Sequence, residues 1–504
     1  MRVGIDLGTT YSLVARLDSG GLPLLLPDRS FKDTIYTPSA VHLSGSGAFV
    51  GQAAERVAEQ DPSRQVLRYF KRELGTRKAL VYQDGTPWYP EAVSALVLKK
   101  LRVDAEVHAA QDVEGAVVTI PAHFDDVQRK ATRAAALMAD LPLLGLVEEP
   151  VAAALYYGVQ TRERDRTLLV YDLGGGTFDA TVLCVTDGVV SVLSKDGLTN
   201  LGGKEIDGRV GDMLLEQFRM AGVEPRRDQT TLPQLRRIAE EIKIDLCMPG
   251  GQSVRRMVLL GEHSAEVQVR RRAFEARIED LLAQTETTLE RCIAGAGLQR
   301  EHIDTVLLVG GSSMIPVIQE RMKRLFDQPH QTVRYNEPTK AVAMGAAMHA
   351  AQLSGDAARF DIPPELRGVT GHHLAVRAID PRTGRVHLDT LIRKNMPLPA
   401  KATKTYYTTR PGQQRLMIEL VQFIDAGHET ALGNLAVMLP AERPVNYPID
   451  VTMAYRNDGT VDVEARDPNT GETLRQTFNE DDPESLYRLA TQQQLVRATE
   501  LNIL

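Results

Sequence analysis

Two different hydrophobic patterns divide this chain into an N-terminal and a C-terminal part. Up to about residue 360, short apolar runs typical of buried strands alternate with longer runs that have apolar residues at helical spacing. The longer runs predict helices over residues 91–102, 125–140, 149–157, 233–247, 274–294, 315–326 and 340–352. Strands that alternate with helices in this way predict an α/β fold.

From about residue 370 the pattern changes to short runs in which apolar and polar residues alternate. Residues 415–423, 448–455 and 460–466 are examples, and they are separated by turn sequences rich in Asn, Asp and Gly. This pattern predicts an all-β sandwich over residues 370–480. We therefore expect a first domain over residues 1–360, a linker over residues 361–369, the sandwich, and a short helical tail over residues 481–504.

The N-terminal part contains the same kind of turn twice, at residues 4–10 (GIDLGTT) and at residues 171–179 (YDLGGGTFD). Each turn follows an apolar strand, bends on glycines that tolerate positive φ, and continues as a second strand. Backbone N–H groups of such turns bind anions, and a carboxylate at the head of each turn can hold a hydrated Mg²⁺ beside phosphates. The two hairpins predict a nucleoside triphosphate site in a cleft between two duplicated lobes.

A third glycine sequence, residues 307–316 (LLVGGSSMIP), indicates a buried strand, a Gly-Gly turn and a helix with Pro316 in its first turn. Gly-Gly lets a flat base and a ribose approach the backbone, so this segment supplies a further wall of the nucleotide cleft. The chain contains no Gly-x-x-x-x-Gly-Lys-Ser/Thr sequence, which excludes the P-loop fold.

Composition narrows the class of protein further. The chain has 504 residues, 43% of them hydrophobic, and a net charge of −7, which provides no basic surface for nucleic acid. The apolar stretch over residues 137–157 is interrupted by Asp140, Glu148 and Glu149, so we expect no membrane span. The first phosphate turn occupies the place of a leader peptide, and the three cysteines are far apart and odd in number. These features favour the reducing cytoplasm and exclude a disulfide framework or a zinc site.

Five segments together resemble the DnaK-type chaperones of the heat-shock protein 70 family. They are residues 5–10, 118–124, 149–154, 172–179 and 309–312, and the resemblance covers about residues 1–480. It implies an actin-like, two-lobed ATPase domain followed by an all-β sandwich that binds extended, unfolded polypeptide. The short length and several departures make the chain most similar to a divergent bacterial member such as HscC. The helical lid that follows the sandwich in the family is absent from this sequence. Without a lid, we expect bound peptide to leave the sandwich quickly.

The resemblance also assigns roles to individual residues. It implies ATP hydrolysis with Mg²⁺ held through water by Asp6 and Asp172, with K⁺ as a candidate second cation. The implied catalytic residues are Asp6, Lys71, Glu149, Asp172 and Thr177. Taken without the family, Lys71 would be read as a solvated surface lysine. The implied nucleotide-binding residues are Gly8, Thr9, Thr10, Gly174, Gly175, Gly176, Gly202, Gly203, Glu240, Lys243, Cys247, Gly310, Gly311, Ser312 and Met314.

The base-binding end departs from the family pattern. Ile244 and Met314 stand where the family typically places arginines that stack on the base, and Cys247 stands where it places a serine. Each stacking or cation–π contact contributes about 0.5–2 kcal/mol. We therefore expect adenine to be held more loosely here than in typical members.

The same resemblance implies which residues transmit the nucleotide state from the ATPase domain to the sandwich. Pro121 and Arg129 match the residues that relay the nucleotide state, although they could equally be a strand end and an exposed helix charge. The residues that fall where the family lines its peptide channel are Val376, Ile379, Tyr406, Leu416 and Ile418; they could equally be sandwich core. The family's linker is a leucine run that docks on the ATPase domain, whereas residues 363–369 here read PPELRGV, so we expect weak coupling.

Three functions compete. The first is an ATP-dependent chaperone that binds unfolded or extended polypeptides, with a J-domain co-chaperone and a nucleotide exchange factor as candidate partners and neither nucleic acid nor membrane. The second is a nucleotide-dependent interaction module whose sandwich recognises one folded partner. The third is a sugar kinase on the same actin-like fold, which the β domain argues against.

Overall fold

A computed structural model provides the structure of this chain. It describes residues 1–504 except 30, 32–33, 62, 162–165, 187–188, 229–230, 336, 361–364, 380–382, 414, 425–428, 439–443, 458, 475–482 and 503–504. Within the described residues, none of the helices combines the length and the apolar character that crossing a membrane requires.

The first lobe, lobe I, is built on a mixed sheet in strand order β11-β10-β1-β2-β3, with β4 paired to β2. A second sheet, β6-β5-β7, and a hairpin, β8-β9, lie outside it. The strands are β1 (Arg2–Asp6), β2 (Tyr11–Leu17), β3 (Pro23–Leu25), β4 (Thr37–Pro38), β5 (Ala40–Ser44), β6 (Gly47–Val50), β7 (Leu67–Arg68), β8 (Val81–Gln83), β9 (Thr86–Trp88), β10 (Gly115–Ile120) and β11 (Leu143–Glu148). The helices are α1 (Gln52–Gln60), α2 (Pro90–Ala109) and α3 (Asp126–Met138), with a 3-10 turn at Phe70–Glu73.

The second lobe, lobe II, is built on a sheet in order β18-β17-β12-β13-β14-β19, with a separate hairpin β15-β16. The strands are β12 (Arg166–Leu173), β13 (Phe178–Thr186), β14 (Val189–Leu198), β15 (Ser253–Leu260), β16 (His263–Arg270), β17 (Thr305–Val309), β18 (Thr332–Arg334) and β19 (Glu365–Arg367). The helices are α4 (Glu149–Thr161), α5 (Gly203–Met220), α6 (Thr231–Cys247), α7 (Arg271–Arg277), α8 (Glu279–Gly295), α9 (Pro316–Leu325) and α10 (Ala341–Leu353).

Helices α4 and α10 join the two lobes. Helix α4 connects β11 of lobe I with β12 of lobe II, while α10 follows β18 of lobe II and packs on the sheet of lobe I. Their crossing is close: a Cβ on Gly345 would lie 1.8 Å from the carbonyl oxygen of Ala152. A Cβ on Gly4 of β1 would lie 2.0 Å from the backbone nitrogen of Ala347. Glycine is therefore required at both positions.

The C-terminal part is a β-sandwich of two four-stranded sheets, β21-β20-β23-β24 and β22-β25-β26-β27. Its strands are β20 (His373–Ile379), β21 (Val386–Ile392), β22 (Ala400–Tyr407), β23 (Arg415–Phe423), β24 (Glu429–Met438), β25 (Pro448–Tyr455), β26 (Val461–Arg466) and β27 (Thr473–Leu474). A tail follows, with helix α11 (Pro483–Ala498) and strand β28 (Glu500–Asn502), and both elements lie on lobe I. The predicted strands over residues 415–423 and 448–455 are confirmed, and the one over 460–466 begins one residue later.

Most predicted helices are confirmed, but the helix predicted over residues 274–294 is two helices. Ile278 lies between α7 and α8 with φ −104° and ψ 5°, and its side chain is fully buried. Ile278 belongs to the core of lobe II, and the chain bends there. The apolar periodicity of the sequence continues through this position, so it predicted one helix. Helix α5, which lines the cleft, was not predicted.

The described part of the linker docks on lobe II although the family's leucine run is missing, and weak coupling stays a prediction. Residues Glu365–Arg367 form β19, which pairs in parallel with β14 through Val189, Val190 and Ser191. Pro363 and Pro364 lie outside the described residues. Strand pairing uses backbone donors and acceptors and does not depend on the side chains. The absence of a leucine run therefore does not prevent β19 from pairing with β14.

Candidate functional site

A cavity of about 560 Å³ lies between the two lobes, and both phosphate turns face it. It brings together most of the residues predicted to bind nucleotide or to catalyse. Those in its wall are Asp6, Gly8, Thr9, Thr10, Lys71, Glu149, Asp172, Gly174, Gly175, Thr177, Gly203, Glu240, Lys243, Gly310, Gly311, Ser312 and Met314. Gly176, Gly202 and Cys247 were predicted as well but do not line the cavity.

The two turns touch each other across the cleft. A Cβ on Gly175 would lie 2.0 Å from Thr10 Oγ1, and a Cβ on Gly8 would lie 1.9 Å from the carbonyl oxygen of Tyr11. A Cβ on Gly202 would lie 2.6 Å from the backbone nitrogen of Gly176, so Gly202 and Gly176 pack behind the wall of the cavity. The glycines of the two turns tolerate positive φ, but none of Gly8, Gly174, Gly175 and Gly176 adopts it; Gly310, in the third glycine segment, does, at φ 82°. Close approach, and not a left-handed backbone, is what requires glycine in the turns.

Three acidic side chains and one lysine converge at the inner end of the cavity. Asp6 ends β1, Asp172 lies in β12, and Glu149 begins α4. Lys71 Nζ lies 2.5 Å from Glu149 Oε1, and the Lys71 side chain is buried, which excludes a surface lysine. The 3-10 turn at Phe70–Glu73 positions it, because Tyr69 enters that turn with a left-handed φ of 61°.

The pKa values of Asp6 and Asp172 are higher than those of ordinary aspartates. Burial, and then the charge of Glu149, raises the pKa of Asp6 to about 7, against the opposing effects of Lys71 and a 3.1 Å hydrogen bond from Thr119. Burial and the neighbouring carboxylates also raise the pKa of Asp172 well above its ordinary value. One lysine does not neutralise three buried carboxyl groups, so this end of the cavity favours a cation.

These residues fit a hydrated Mg²⁺ and a nucleotide phosphate chain. Among the described residues, no group of three or more His, Cys, Asp or Glu side chains is arranged to ligate a metal directly. Asp6 and Asp172 can accept hydrogen bonds from the water around an ion, which satisfies both their charge and their acceptors. Glycine turns on the facing wall leave backbone N–H groups for phosphate oxygens.

An ion pair that the sequence analysis missed ties the lobes together beside this site. Arg72, next to Lys71, donates from Nη1 to Glu205 Oε1 at 2.8 Å and from Nη2 to Glu205 Oε2 at 2.7 Å. Its Nη2 also donates to the carbonyl oxygen of Gly176 in the second phosphate turn. Arg72 lies in lobe I, and Glu205 lies on α5 of lobe II. The adjacent positions of the two basic residues were the only signal for Arg72 in the sequence.

The end of the cavity predicted to hold the base carries two apolar side chains. Ile244 and Met314 both line it, with 43% and 51% of their surface exposed. Lys243 is 2.7 Å from Asp207, so its charge is already paired, and Ser312 Oγ donates to the carbonyl oxygen of Gly174. Cys247 lies outside the cavity wall. Burial raises the pKa of its thiol to about 11, so the thiol is neutral.

Of the two residues predicted to relay the nucleotide state, Arg129 lies at the contact between lobe I and the sandwich, since a Cβ on Gly459 would lie 3.0 Å from Arg129 Nη1. Arg129 is buried, which excludes an exposed helix charge, and its Nη2 is 2.5 Å from Glu148 Oε1. Lys195 Nζ is 2.5 Å from the same oxygen. Burial alone would raise the pKa of Glu148, but Lys195 and Arg129 hold it below its ordinary value. Pro121, fully enclosed at the end of β10, accepts a hydrogen bond from the backbone of Phe124.

Direct hydrogen bonds join the sandwich to both lobes. The backbone N–H of Asp126 donates to Gln422 Oε1 at 3.1 Å, and Asp126 Oδ1 accepts from the backbone of Val461 at 3.2 Å. On lobe II, Asn395 of the sandwich donates from Nδ2 to Ser194 Oγ at 2.9 Å. The sandwich is therefore docked on the lobes in this structure.

The five residues predicted to line a peptide channel do not share one surface. Val376 and Ile418 are buried in the sandwich core, and Tyr406 and Leu416 pack against that core. Ile379 is 60% exposed and pairs in register with Val386, which is 59% exposed. The alternation of apolar residues could not separate core from channel, because both lie on the same strands.

Comparison with known proteins agrees with this architecture. The family model described as Hsp70 protein matches residues 2–500. The chain is 35% identical over 485 residues to the chaperone protein DnaK of Thermosipho melanesiensis, covering 93% of this chain and 78% of that protein. It is 34% identical over 486 residues to the chaperone protein DnaK of Thermotoga maritima, with the same coverage. The HscC-like assignment remains a prediction.

Proposed function

The chain belongs to the Hsp70 family and is an ATP-dependent molecular chaperone, and on that premise we propose how its own residues perform the ATPase cycle. The observation that carries the proposal is the convergence of Asp6, Glu149 and Asp172 around Lys71 beside two touching glycine turns. A nucleotide-dependent module for one folded partner is not favoured by the family match.

We propose that ATP lies with its phosphates against the turns at residues 8–10 and 174–177. Bound Mg²⁺ would supply positive charge beside the phosphates as charge develops in transfer. Phosphoryl transfer needs mainly positioning and electrostatic stabilisation from the protein. In this scheme Lys71 offsets charge on the terminal phosphate, Glu149 and Asp172 orient the attacking water, and Thr177 offers its hydroxyl to the phosphates. K⁺ is proposed as a second cation on the same excess of carboxylate charge.

We propose that the ribose and base extend toward Glu240, Lys243, Ser312 and Met314. The exposed apolar surfaces of Ile244 and Met314 would cover the two faces of the base by contact alone. Contact of this kind is weaker than stacking by a guanidinium group, so the phosphates would supply most of the affinity.

We propose that the sandwich binds extended, apolar polypeptide. The paired side chains of Ile379 and Val386 support this, since both are largely exposed at one end of the sheet. Pro121 and Arg129 are proposed as the relay between this domain and the nucleotide, because Arg129 contacts Glu148, the residue before Glu149. We further propose a J-domain co-chaperone and a nucleotide exchange factor as partners. The proposed location is the cytoplasm, which is in keeping with the three free thiols.

The decisive experiment measures ATP hydrolysis by the full chain with and without an unfolded polypeptide, in K⁺ and in Na⁺ buffer. We expect slow, Mg²⁺-dependent hydrolysis in both cases and retention of the polypeptide with ADP bound. Absence of hydrolysis under all conditions would overturn the assignment of the catalytic residues. Hydrolysis without any polypeptide binding would favour the folded-partner alternative.

A further inference from the structure

The tail at residues 483–502 is built into lobe I as part of its core. Val496 is fully buried in the same apolar cluster as residues of α2 and α3, and Leu489, Leu495 and Leu501 pack against that cluster. Gln492 is 2% exposed and uses both ends of its amide: Oε1 accepts from the backbone of Tyr89 at 3.3 Å, and Nε2 donates to the carbonyl oxygen of Pro87 at 2.9 Å. A buried side-chain amide that satisfies two backbone groups is typical of a protein interior.

The end of the tail is fastened by charge and by strand pairing. Lys99 of α2 donates from Nζ to the carbonyl oxygens of Val496 and Thr499, each at 2.9 Å, and so caps the end of α11. Arg497 forms an ion pair of 2.6 Å with Asp140. Strand β28 then pairs in parallel with β6, Glu500 opposite Gly47 and Asn502 opposite Phe49. The second sheet of lobe I thereby becomes four-stranded, in order β28-β6-β5-β7.

This arrangement limits how far the sandwich can move. Nine peptide steps separate Leu474 of β27 from Pro483 of α11, which span at most about 30 Å when fully extended. At the other end, six steps separate Arg367 of β19 from His373 of β20, or at most about 20 Å. The sandwich is therefore tethered to lobe II through β19 and to lobe I through the tail.

We propose that residues 483–502 are a permanent intramolecular docking segment that completes lobe I and keeps the sandwich against the ATPase domain whether ADP or ATP is bound. A segment that released in one nucleotide state would expose Val496 and the partners of Gln492 and would leave the edge of β6 unpaired. Among the described residues, the tail contacts α2, α3 and the turn after it, β6 and β9, and the partners named above are not in the wall of the nucleotide cavity. The proposal does not depend on which residues catalyse hydrolysis.

Hydrogen exchange of the full chain in ADP and in ATP, combined with the radius of gyration from small-angle scattering, tests this. We expect the amides of residues 489–502 and 47–49 to exchange at rates that agree within about twofold between the two nucleotides. We also expect an unchanged radius of gyration. Exchange of the tail in ADP at the rate of an unfolded peptide, or a clear expansion of the protein in ADP, would overturn the proposal.

Two variants separate docking from folding. Lys99→Met removes the cap on α11 without altering the tail, and Val496→Asp places a charge in the core contact; each should raise tail exchange at least tenfold. Tyr487→Ala is the matched control, since Tyr487 lies on the same helix with 75% of its surface exposed, and should behave as the unaltered chain. If Val496→Asp does not fold, Lys99→Met decides the matter alone. Unchanged exchange in Lys99→Met would contradict the tail contacts.

Discussion

Arg72 and Glu205 form a two-point ion pair across the cleft, between the 3-10 turn of lobe I and the first turn of α5 in lobe II. Because Arg72 also donates to the carbonyl oxygen of Gly176, the same guanidinium fixes the second phosphate turn. Opening of the cleft must break all of these hydrogen bonds. The pair therefore opposes nucleotide release.

Replacing Arg72 by Ala should accelerate nucleotide dissociation by about tenfold, since charge-assisted hydrogen bonds contribute about 1.5–3 kcal/mol and tenfold corresponds to about 1.4 kcal/mol. Stopped-flow release of a fluorescent nucleotide measures this. Glu205→Ala should have a similar effect, and the double variant should release little faster than either single one. Additive effects of the two substitutions would show that the residues act separately.

Lys71→Ala should leave nucleotide binding in place while lowering the turnover number at least about tenfold, or about 1.4 kcal/mol of barrier. The loss follows from removing the lysine that pairs with Glu149 at the inner end of the cavity. Single-turnover hydrolysis and calorimetry with the same preparation separate the two effects. Lys323→Ala is the control, because Lys323 lies on α9 over the ring of Tyr335 and is not in the cavity wall. Unchanged turnover in Lys71→Ala would remove Lys71 from the mechanism.

His372 makes the folded state less stable in acid. Burial, and then Lys195, Arg129, Lys394 and His123, holds the pKa of His372 well below its ordinary 6.5. Above pH 6.5 the ring is neutral in both the folded and the unfolded chain. Below that pH the unfolded chain binds a proton that the folded chain refuses, so stability is lost as the pH falls, by about 1.4 kcal/mol per unit until the folded pKa is reached.

The unfolding free energies of the native chain and of His372→Gln, compared at pH 7.5 and at pH 5.5, test this effect. We expect the variant to gain relative stability at the lower pH, since glutamine cannot take up the proton. A difference between the two proteins that does not change with pH would show that His372 does not resist protonation.

Ile244→Arg should tighten ATP binding by between a few-fold and tenfold. The side chain lines the cavity and is partly exposed, so a guanidinium group there can lie over the base. Isothermal calorimetry of Ile244→Arg, Met314→Arg and the double variant measures the gain. Ile244→Lys is the matched control for charge without a planar group. No gain in any arginine variant would mean that this helix face does not contact the base.

Coupling between nucleotide and peptide should be weak. A sandwich tethered at both ends undergoes a small rearrangement, so ATP should change peptide dissociation by less than about fivefold, or about 1 kcal/mol. A labelled peptide released in ADP and in ATP provides the measurement. Leu366→Pro removes a backbone donor from β19 and should change the ratio, whereas a large acceleration by ATP in the native chain would contradict weak coupling.

Features that depend on residues close together in the sequence could be predicted from it. The apolar strand predicted before the first phosphate turn is observed at Arg2–Asp6, because a short apolar run followed by a glycine turn is a local signal. Arg72 and Glu205 lie far apart in the sequence, and their contact depends on how the two lobes approach each other. Neither residue stands out by type, since paired charges usually lie on the surface.

Strand β28 shows a second limit of prediction. It contains three residues without a recognisable alternation, and its partner β6 lies near the other end of the chain. The tail was expected to be helical, and Pro483–Ala498 form α11 before the strand β28, but the burial of α11 against α2 depends on the surface that lobe I offers. Likewise, the linker was judged by its missing leucines, whereas its described part docks through backbone hydrogen bonds.

The crossing of α4 and α10 has a mechanical consequence for the cleft. Where Gly345 meets Ala152 and Gly4 meets Ala347, backbone touches backbone, and no side chain is present to repack. Sliding of α10 along α4 or β1 would separate these backbone contacts. We therefore expect the two lobes to rotate about this crossing, which serves as a hinge. Asp6 lies two residues from Gly4 and travels little, while Ile244 on α6 lies further out and travels more. A small rotation can thus widen the cavity at Ile244 while the acids proposed to catalyse hydrolysis keep their mutual positions.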